Sequence, residues 1–236
     1  MGLAAVFVAL ATAATPTLGR QWAPHQKGYG QVKPRTIFNG GDPTGLAQQV
    51  RWRSWGGRRA IGSGIGYWLW PGLGVADGSV RARAVVVAYD LGRCRGKPAY
   101  RKIQWYFPRY GGVFDRYNAS DICTGVLAPG PPYRTCGAVA LRSPPGRASH
   151  IQATGLTCRR ARAIVAGSPS ARYVRRRGRF RAAGLYCGSE GKSGGSPPLL
   201  ECARGRVDIL YQVVSAAASS RSRTSRRNSR AGSALD

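Results

Sequence analysis

A short apolar run at the N-terminus is followed by six cysteines that have no metal or redox spacing. The run covers residues 3–14 and ends near the small-residue triplet Ala11-Thr12-Ala13. About a dozen apolar residues are too few to span a bilayer as a helix, but they fit the core of a signal peptide. We therefore predict a signal peptide over residues 1–14, and a protein that is secreted or stays at the extracellular face of the envelope.

This prediction of export implies that the cysteines are oxidised. None of them belongs to a C-x-x-C pair, and the two histidines, His25 and His150, are isolated in the sequence. We therefore expect three disulfides, no metal site and no cofactor. Several connectivities are open. We favour pairs of neighbours, because a Pro- and Gly-rich break at 128–133 leaves two cysteines before it and four after it. The favoured pairs are Cys94–Cys123, Cys136–Cys158 and Cys187–Cys202.

The chain is very basic, and arginine supplies nearly all of the positive charge. It has 37 lysines and arginines against nine acidic residues, which gives a formal net charge of +28 at pH 7. A chain with this charge binds anionic polymers at low salt. We expect non-specific electrostatic partners, either an anionic envelope polymer or lipid headgroups. No RNP, KH, helix-turn-helix or zinc-finger signature is present in the sequence, so we expect no sequence-specific binding of nucleic acid.

The first half of the chain has the pattern of a linker followed by short strands. Residues 15–35 are polar, aperiodic and contain Gly and Pro, so we predict a flexible linker there. We expect ordered structure to begin near residues 36–38. Turns rich in Gly, Pro and Asp then separate four candidate strands, at 48–55, 65–70, 79–89 and 100–107. This pattern, without an amphipathic helix, indicates an all-β domain over residues 36–127, either a β-sandwich or a small barrel.

The second half combines one helix with several strands. A short strand at 149–153 precedes Thr157, a good N-cap residue, and apolar or small residues then recur at helical spacing from Cys158 to Val165. Further strands are predicted at 180–187, 199–203 and 207–214. We therefore predict a small β-α-β-β-β domain over residues 133–214, stapled by disulfides. Residues 215–236 are rich in Ala, Ser and Arg, and we predict a disordered tail.

Motifs in both halves carry a resemblance to known proteins. The first half has PRTIFNGGDP at 34–43, RWRSWG at 51–56 and an aromatic segment at 99–107. The second half has Cys-Gly, I-x-A-x-G-x-x-C-x-x-A, Tyr-Cys and Cys-x-x-Gly in succession, starting at Cys136, Ile151, Tyr186 and Cys202. The chain thereby resembles uncharacterised exported proteins of actinomycete-type bacteria, over most of residues 34–214. The resemblance implies export, two modules and disulfides, and it carries no assigned activity.

No catalytic constellation is recognisable in the sequence. A polysaccharide hydrolase needs two carboxylates about 5–10 Å apart across a cleft. Asp42, Asp77 and Asp90 are candidates within one domain. They come before Pro43, Gly78 and Leu91-Gly92, respectively, where turns favour Asp, so a turn role is favoured. The segment GSGIG at 62–66 misses the G-x-S-x-G elbow by one position and is interpreted as a flexible turn. We assign no residue a catalytic role.

Trp68 and Trp70 are the candidate glycan-binding residues. In a strand these two side chains point to one face, and Tyr67 points to the other. An exposed face would be a flat platform that stacks on sugar rings, whereas a buried face would belong to the core of a small sandwich. Burial is the favoured interpretation, and the platform is the alternative.

A cluster of arginines in the second half is the candidate anion-binding site. Guanidinium groups bind phosphate in a bidentate manner, and the neighbouring Tyr173 and Phe180 could stack on bases or insert at a headgroup layer. A solvated basic face is the simpler interpretation of the same residues. The cluster consists of Arg172, Arg175, Arg176, Arg177, Arg179 and Arg181.

The sequence as a whole predicts an exported monomer without catalytic activity that contacts anionic envelope polymers through arginine-rich surfaces. A cell-wall or polysaccharide hydrolase is the first alternative, and a glycan-binding β domain is the second. The three differ in behaviour. Electrostatic contact weakens with salt, stacking on sugars depends on tryptophan, and hydrolysis depends on one or two carboxylates.

Overall fold

Two β-sheets, one in each half of the chain, make up most of the structure. The computed structural model describes residues 14–117, 119–126, 130, 132–142, 146–168, 178–189 and 199–215. The mainly-β, two-module architecture predicted from the sequence is confirmed. The predicted signal peptide, apart from Ala14, and the predicted tail beyond Ser215 lie outside the described residues.

The first sheet has six strands and is antiparallel except at one edge. The strands are β1 (Thr17–Leu18), β2 (Ile37–Phe38), β3 (Leu46–Trp52), β4 (Arg59–Leu69), β5 (Ser79–Cys94) and β6 (Lys97–Tyr106). Their order is β1-β6-β5-β4-β3-β2, and the β1–β6 pair is parallel. A single helical turn, α1 (Val75–Gly78), connects β4 to β5. Each of the four strands predicted in this half overlaps an observed strand.

Three glycines occupy alternate positions of strand β4. Gly62, Gly64 and Gly66 alternate with larger residues along the strand and are buried. A Cβ atom on Gly64 would lie 2.7 Å from the carbonyl oxygen of Gln48, so a side chain there would push β3 away. The interpretation of residues 62–66 as a flexible turn is therefore wrong. The alternation of glycine is the signature of one face of a strand.

The N-terminal segment packs against the first sheet, so the prediction of a flexible linker over 15–35 is wrong. Leu18 of β1 pairs with Tyr100 of β6 and is fully buried. Tyr29 is 6% exposed and belongs to the same core cluster. The composition of this segment is polar, and it becomes ordered because its few apolar side chains find partners in a remote strand.

Two tryptophans tie the N-terminal segment to the sheet. The indole N–H groups of Trp55 and Trp52 donate to the carbonyl oxygens of Pro16 and Pro34, each at 2.9 Å. A buried indole N–H needs an acceptor, and these carbonyls supply it. The segment is therefore held near both of its ends.

The second sheet has seven strands and one covering helix. The strands are β7 (Arg134–Cys136), β8 (Val139–Ala140), β9 (Gly146–Thr154), β10 (Arg179–Ala182), β11 (Leu185–Gly188), β12 (Leu199–Arg204) and β13 (Val207–Ser215). Their order is β10-β11-β12-β13-β9-β7, and β8 also pairs with β9. Helix α2 (Cys158–Ala166) buries Ala161 and Val165 in a core that includes Ile151 of β9 and Ile209 of β13.

The predicted helix of the second module is confirmed together with its cap. The Thr157 hydroxyl accepts a hydrogen bond from the N–H of Arg160 at 3.4 Å, and the helix ends before Gly167. The predicted single strand at 180–187 is instead the hairpin of β10 and β11. Ala183 and Gly184 have φ values of 48° and 80°, and two such residues reverse a chain within one tight turn.

All three predicted disulfides are present, with the predicted pairing. Cys94–Cys123 joins the end of β5 to the loop after β6, and Cys136–Cys158 joins β7 to the start of α2. Cys187–Cys202 links directly opposed residues of β11 and β12. Each bond lies within one module, and disulfides of this number are typical of an oxidising environment. Separately, no helix within the described ranges has the length and apolarity to cross a membrane.

We expect Leu18→Ala to lower the free energy of unfolding by about 2–5 kcal/mol, because it empties a fully buried position. Leu199→Ala is the matched control, since Leu199 is 54% exposed, and it should change stability by less than about 0.5 kcal/mol. Urea unfolding followed by tryptophan fluorescence measures both. A small effect of both substitutions would show that the N-terminal segment is not part of the core.

Candidate functional site

Two members of the predicted anion-binding cluster, Arg179 and Arg181, are exposed on β10. The Arg179 guanidinium lies 5.7 Å from the centre of the Trp70 ring and donates to the carbonyl oxygen of Asp77. The Arg181 guanidinium lies 4.4 Å from the centre of the Tyr186 ring and donates to its hydroxyl at 3.0 Å. Neither forms an ion pair with a carboxylate of the described chain. The other four, Arg172, Arg175, Arg176 and Arg177, lie outside the described residues.

Trp68 and Trp70 belong to an aromatic cluster between the two modules. The Trp68 ring stacks on Tyr110, with centroids 3.9 Å apart and planes 4° from parallel. Both tryptophans meet Tyr186 edge to face, at 5.0 and 5.2 Å. The Trp70 indole N–H donates to the carbonyl oxygen of Cys187 at 2.7 Å. One face of Trp68 is therefore occupied by protein, and a sugar platform would have to use the other face.

Close backbone contacts accompany the aromatic cluster. Gly72 has a φ of 69°, and a Cβ atom there would lie 2.3 Å from the carbonyl oxygen of Gly188. The Gly72 N–H donates to the carboxylate of Glu201 at 2.7 Å. On the other side of the contact, Arg206 donates to the carbonyl oxygen of Phe114 at 3.1 Å. The turn after β4 and the loop after β6 thus both touch the second sheet.

Glu201 and Asp208 form a carboxylate pair that sequence analysis missed. On the paired strands β12 and β13, Glu201 is opposite Leu210 and Ala203 is opposite Asp208, so the two acids are diagonal neighbours on one face. Burial raises the pKa of both carboxyls, and the charge of Asp208 raises the pKa of Glu201 further. The Tyr133 hydroxyl donates to Asp208. Each carboxylate therefore already has a donor from the protein, which favours a structural role.

The three aspartates assigned to turns have different surroundings. Asp42 accepts from the N–H of Thr44 at 2.7 Å and from its hydroxyl, and these hydrogen bonds lower the pKa of Asp42. Asp77 lies in the single turn α1. Asp90 is instead within strand β5, with a φ of 60°, so the turn assignment is wrong for this residue. Strand β5 is longer than predicted and continues through Cys94.

A basic cleft of about 810 Å³ lies on the first sheet. Arg59, Tyr89 and Lys102 are directly opposed on β4, β5 and β6, so their side chains form a row on one face. Arg58 and Arg116 add two more cations to the lining. None of these four cations forms an ion pair with an acidic side chain in the described part of the chain. Sequence analysis missed this cleft because strand register alone brings its residues together.

Comparisons with protein-family models, with curated proteins and with solved structures find no match for this chain. The resemblance to exported proteins of actinomycete-type bacteria therefore stays a prediction. The interpretation of the site depends on its geometry and chemistry.

We expect Glu201→Gln to gain stability relative to the wild-type protein as the pH rises from about 4 to about 7. Burial and Asp208 raise the pKa of Glu201 above 4.5, so the folded protein binds this proton more tightly than the unfolded chain does. Protonated Glu201 therefore contributes to the free energy of unfolding at pH values below its ordinary pKa, and this contribution is lost as the carboxyl ionises in the folded protein. The amide of the Glu201→Gln variant does not ionise and so has no such loss. Urea unfolding of both proteins at both pH values measures the difference in their free energies of unfolding.

Asp42→Asn is the control with the opposite sign. Hydrogen bonds from Thr44 lower the pKa of Asp42, so its carboxylate stabilises the fold above the ordinary pKa of 3.8. This variant should therefore lose stability relative to the wild-type protein over the same pH interval. Changes of the same sign in both variants would contradict the assigned surroundings of Glu201.

Proposed function

We propose that the protein is exported and contacts anionic polymers of the cell envelope through arginine-rich surfaces, without catalysis. The observation that carries this proposal is the scarcity of carboxylate partners for its arginines. In the described ranges two ion pairs form, Arg101–Asp121 at 2.6 Å and Arg206–Asp115 at 3.6 Å. Even if every acidic side chain paired with one base, 28 positive charges would remain. A surface with this excess attracts polyanions.

Several guanidinium groups bond to neutral acceptors in place of carboxylates. Arg93 donates to the carbonyl oxygen of Gly96 at 2.6 Å, and Arg204 donates to that of Gly184 at 3.3 Å. Such bonds position a guanidinium group without cancelling its charge. The cation therefore stays available to an external anion, which can still accept from the remaining N–H groups.

The three disulfides support the exported part of the proposal, because such bonds persist mainly in oxidising compartments. The two alternatives have weaker support. A hydrolase would need open carboxylates, and Glu201 is already bonded to Gly72 at the contact between modules. A glycan platform at Trp68 would compete with Tyr110, which covers one face of the ring.

We expect the full chain to bind immobilised polyphosphate and polygalacturonate at about 50 mM NaCl, and to bind at least about tenfold more weakly at about 200 mM. Salt screens the exposed charges and also displaces the protein from the polymer. Neutral dextran is the control polymer and should retain no protein. Retention on dextran, or binding that does not change with salt, would contradict the proposal.

Two further measurements separate the alternatives. Release of reducing ends from polygalacturonate or from wall material, lost in Glu201→Gln, would favour a hydrolase. Sedimentation with vesicles that contain anionic lipid, stronger than binding to either polymer, would assign the surface to headgroups. We expect neither result.

A further inference from the structure

We infer that the basic cleft on the first sheet binds one anionic saccharide unit, a sugar that carries a phosphate or a carboxylate. This inference rests on the proposed function and makes it specific by assigning a ligand class to one site. The cleft measures about 810 Å³, within the range of roughly 300–1,000 Å³ that is usual for small-molecule sites. It therefore fits a short piece of a polymer.

Aromatic rings hold two guanidinium groups of the cleft in place. Arg59 lies 4.7 Å from the centre of the Phe114 ring, and Arg116 lies 5.0 Å from the centre of the Tyr117 ring. Phe114 in turn meets Tyr89 edge to face at 5.1 Å. The cations are thus positioned before a ligand arrives, which reduces the entropy lost on binding. Guanidinium groups are the side chains that best match the geometry of phosphate and carboxylate.

The loop that supplies Arg116 and Tyr117 is fastened to the sheet at two points. The hydroxyl group of Tyr89, on β5, donates to the carbonyl oxygen of Arg116 at 2.9 Å. The side-chain oxygen of Gln104, on β6, accepts from the N–H of Asp115 at 2.8 Å. These two bonds hold the loop with Arg116 and Tyr117 against strands β5 and β6. The site is therefore formed without a ligand.

Strand β5 departs from regular geometry at the cleft. Asp90 adopts a left-handed conformation, with a φ of 60°, which is strained for a residue other than glycine. Tyr89, Asp90 and Leu91 all line the cleft, whereas consecutive residues of a regular strand point to opposite faces. The irregularity thus places a carboxylate among the cations. Asp90 is the one acidic side chain among the lining residues that the structure describes.

The combination of groups fits an anionic sugar better than a nucleic-acid strand. The cations match the anionic group, and Asp90 can accept hydrogen bonds from sugar hydroxyls. Tyr117 is 71% exposed, so its ring can cover the apolar face of a sugar beside the charges. The internal sugars of a DNA strand, by contrast, have no free hydroxyl group that could donate to Asp90.

The test is calorimetric titration of the full chain with trigalacturonic acid and with glucose 1-phosphate. We expect saturable binding of both, and a loss of at least about tenfold in affinity when Arg59 and Arg116 are both replaced by Gln. Arg81→Gln with Arg83→Gln is the matched control, because it removes the same charge from exposed positions on β5 outside the cleft. This control should leave saccharide binding unchanged.

Tyr117→Ala is the second variant. It tests the same site independently if the double arginine variant fails to fold. Its ring is largely exposed, so the fold should be retained. The substitution leaves the net charge unchanged. We expect severalfold weaker binding of both saccharides and unchanged binding to polyphosphate.

The possible failures are distinguishable. Absence of saturable saccharide binding, or equal losses in the two arginine pairs, would overturn the inference, while salt-dependent retention on polyphosphate would leave the proposed function in place. Inorganic phosphate that binds as tightly as glucose 1-phosphate would overturn the assignment to a saccharide. A short oligothymidylate that binds more tightly than either sugar and displaces them would assign the cleft to nucleic acid. Loss of retention on every polyanion would overturn the proposed function itself.

Discussion

Repulsion among arginines is the constraint under which this chain folds. A formal net charge of +28 on 236 residues makes the compact state costly, because folding brings like charges together. The structure offsets this cost with three disulfides and with contacts between guanidinium groups and the rings of Phe114, Trp70 and Tyr186. A ring attracts a cation without neutralising it. The fold is therefore stabilised by means that leave its positive surface intact.

The contact between the modules follows from the same constraint. Four rings, those of Trp68, Trp70, Tyr110 and Tyr186, supply apolar area at this boundary, where the ion pair Arg206–Asp115 also lies. The glycines at 72 and 188 let the two backbones meet closely enough for these rings to interlock. Glu201 adds a charged hydrogen bond to Gly72, and its neighbour Asp208 makes the ionised form of Glu201 less favourable. Aromatic packing and polar contacts thus both join the two modules.

Features that depend on local pattern were predictable, and features that depend on strand register were not. The Thr157 cap and the pairing of cysteines within modules follow from residues close together in the sequence. The order of residues 15–35 was missed because it depends on Trp52 and Trp55 in and after a later strand. The cleft was missed for the same reason, since Arg59, Tyr89 and Lys102 become neighbours only across three strands. Composition identified arginine as important, but register decides which arginines converge.

The edge of the second sheet shows another role for arginine. Strand β10 is the outermost strand on its side of the described sheet, and an open edge invites pairing with a second molecule. Arg179 and Arg181 are exposed on this strand, on either side of the buried Phe180 in the sequence. Two copies of the edge would bring four guanidinium groups together, and their repulsion opposes the growth of a continuous sheet between molecules. The charge that attracts polyanions therefore also protects the protein from aggregation with itself.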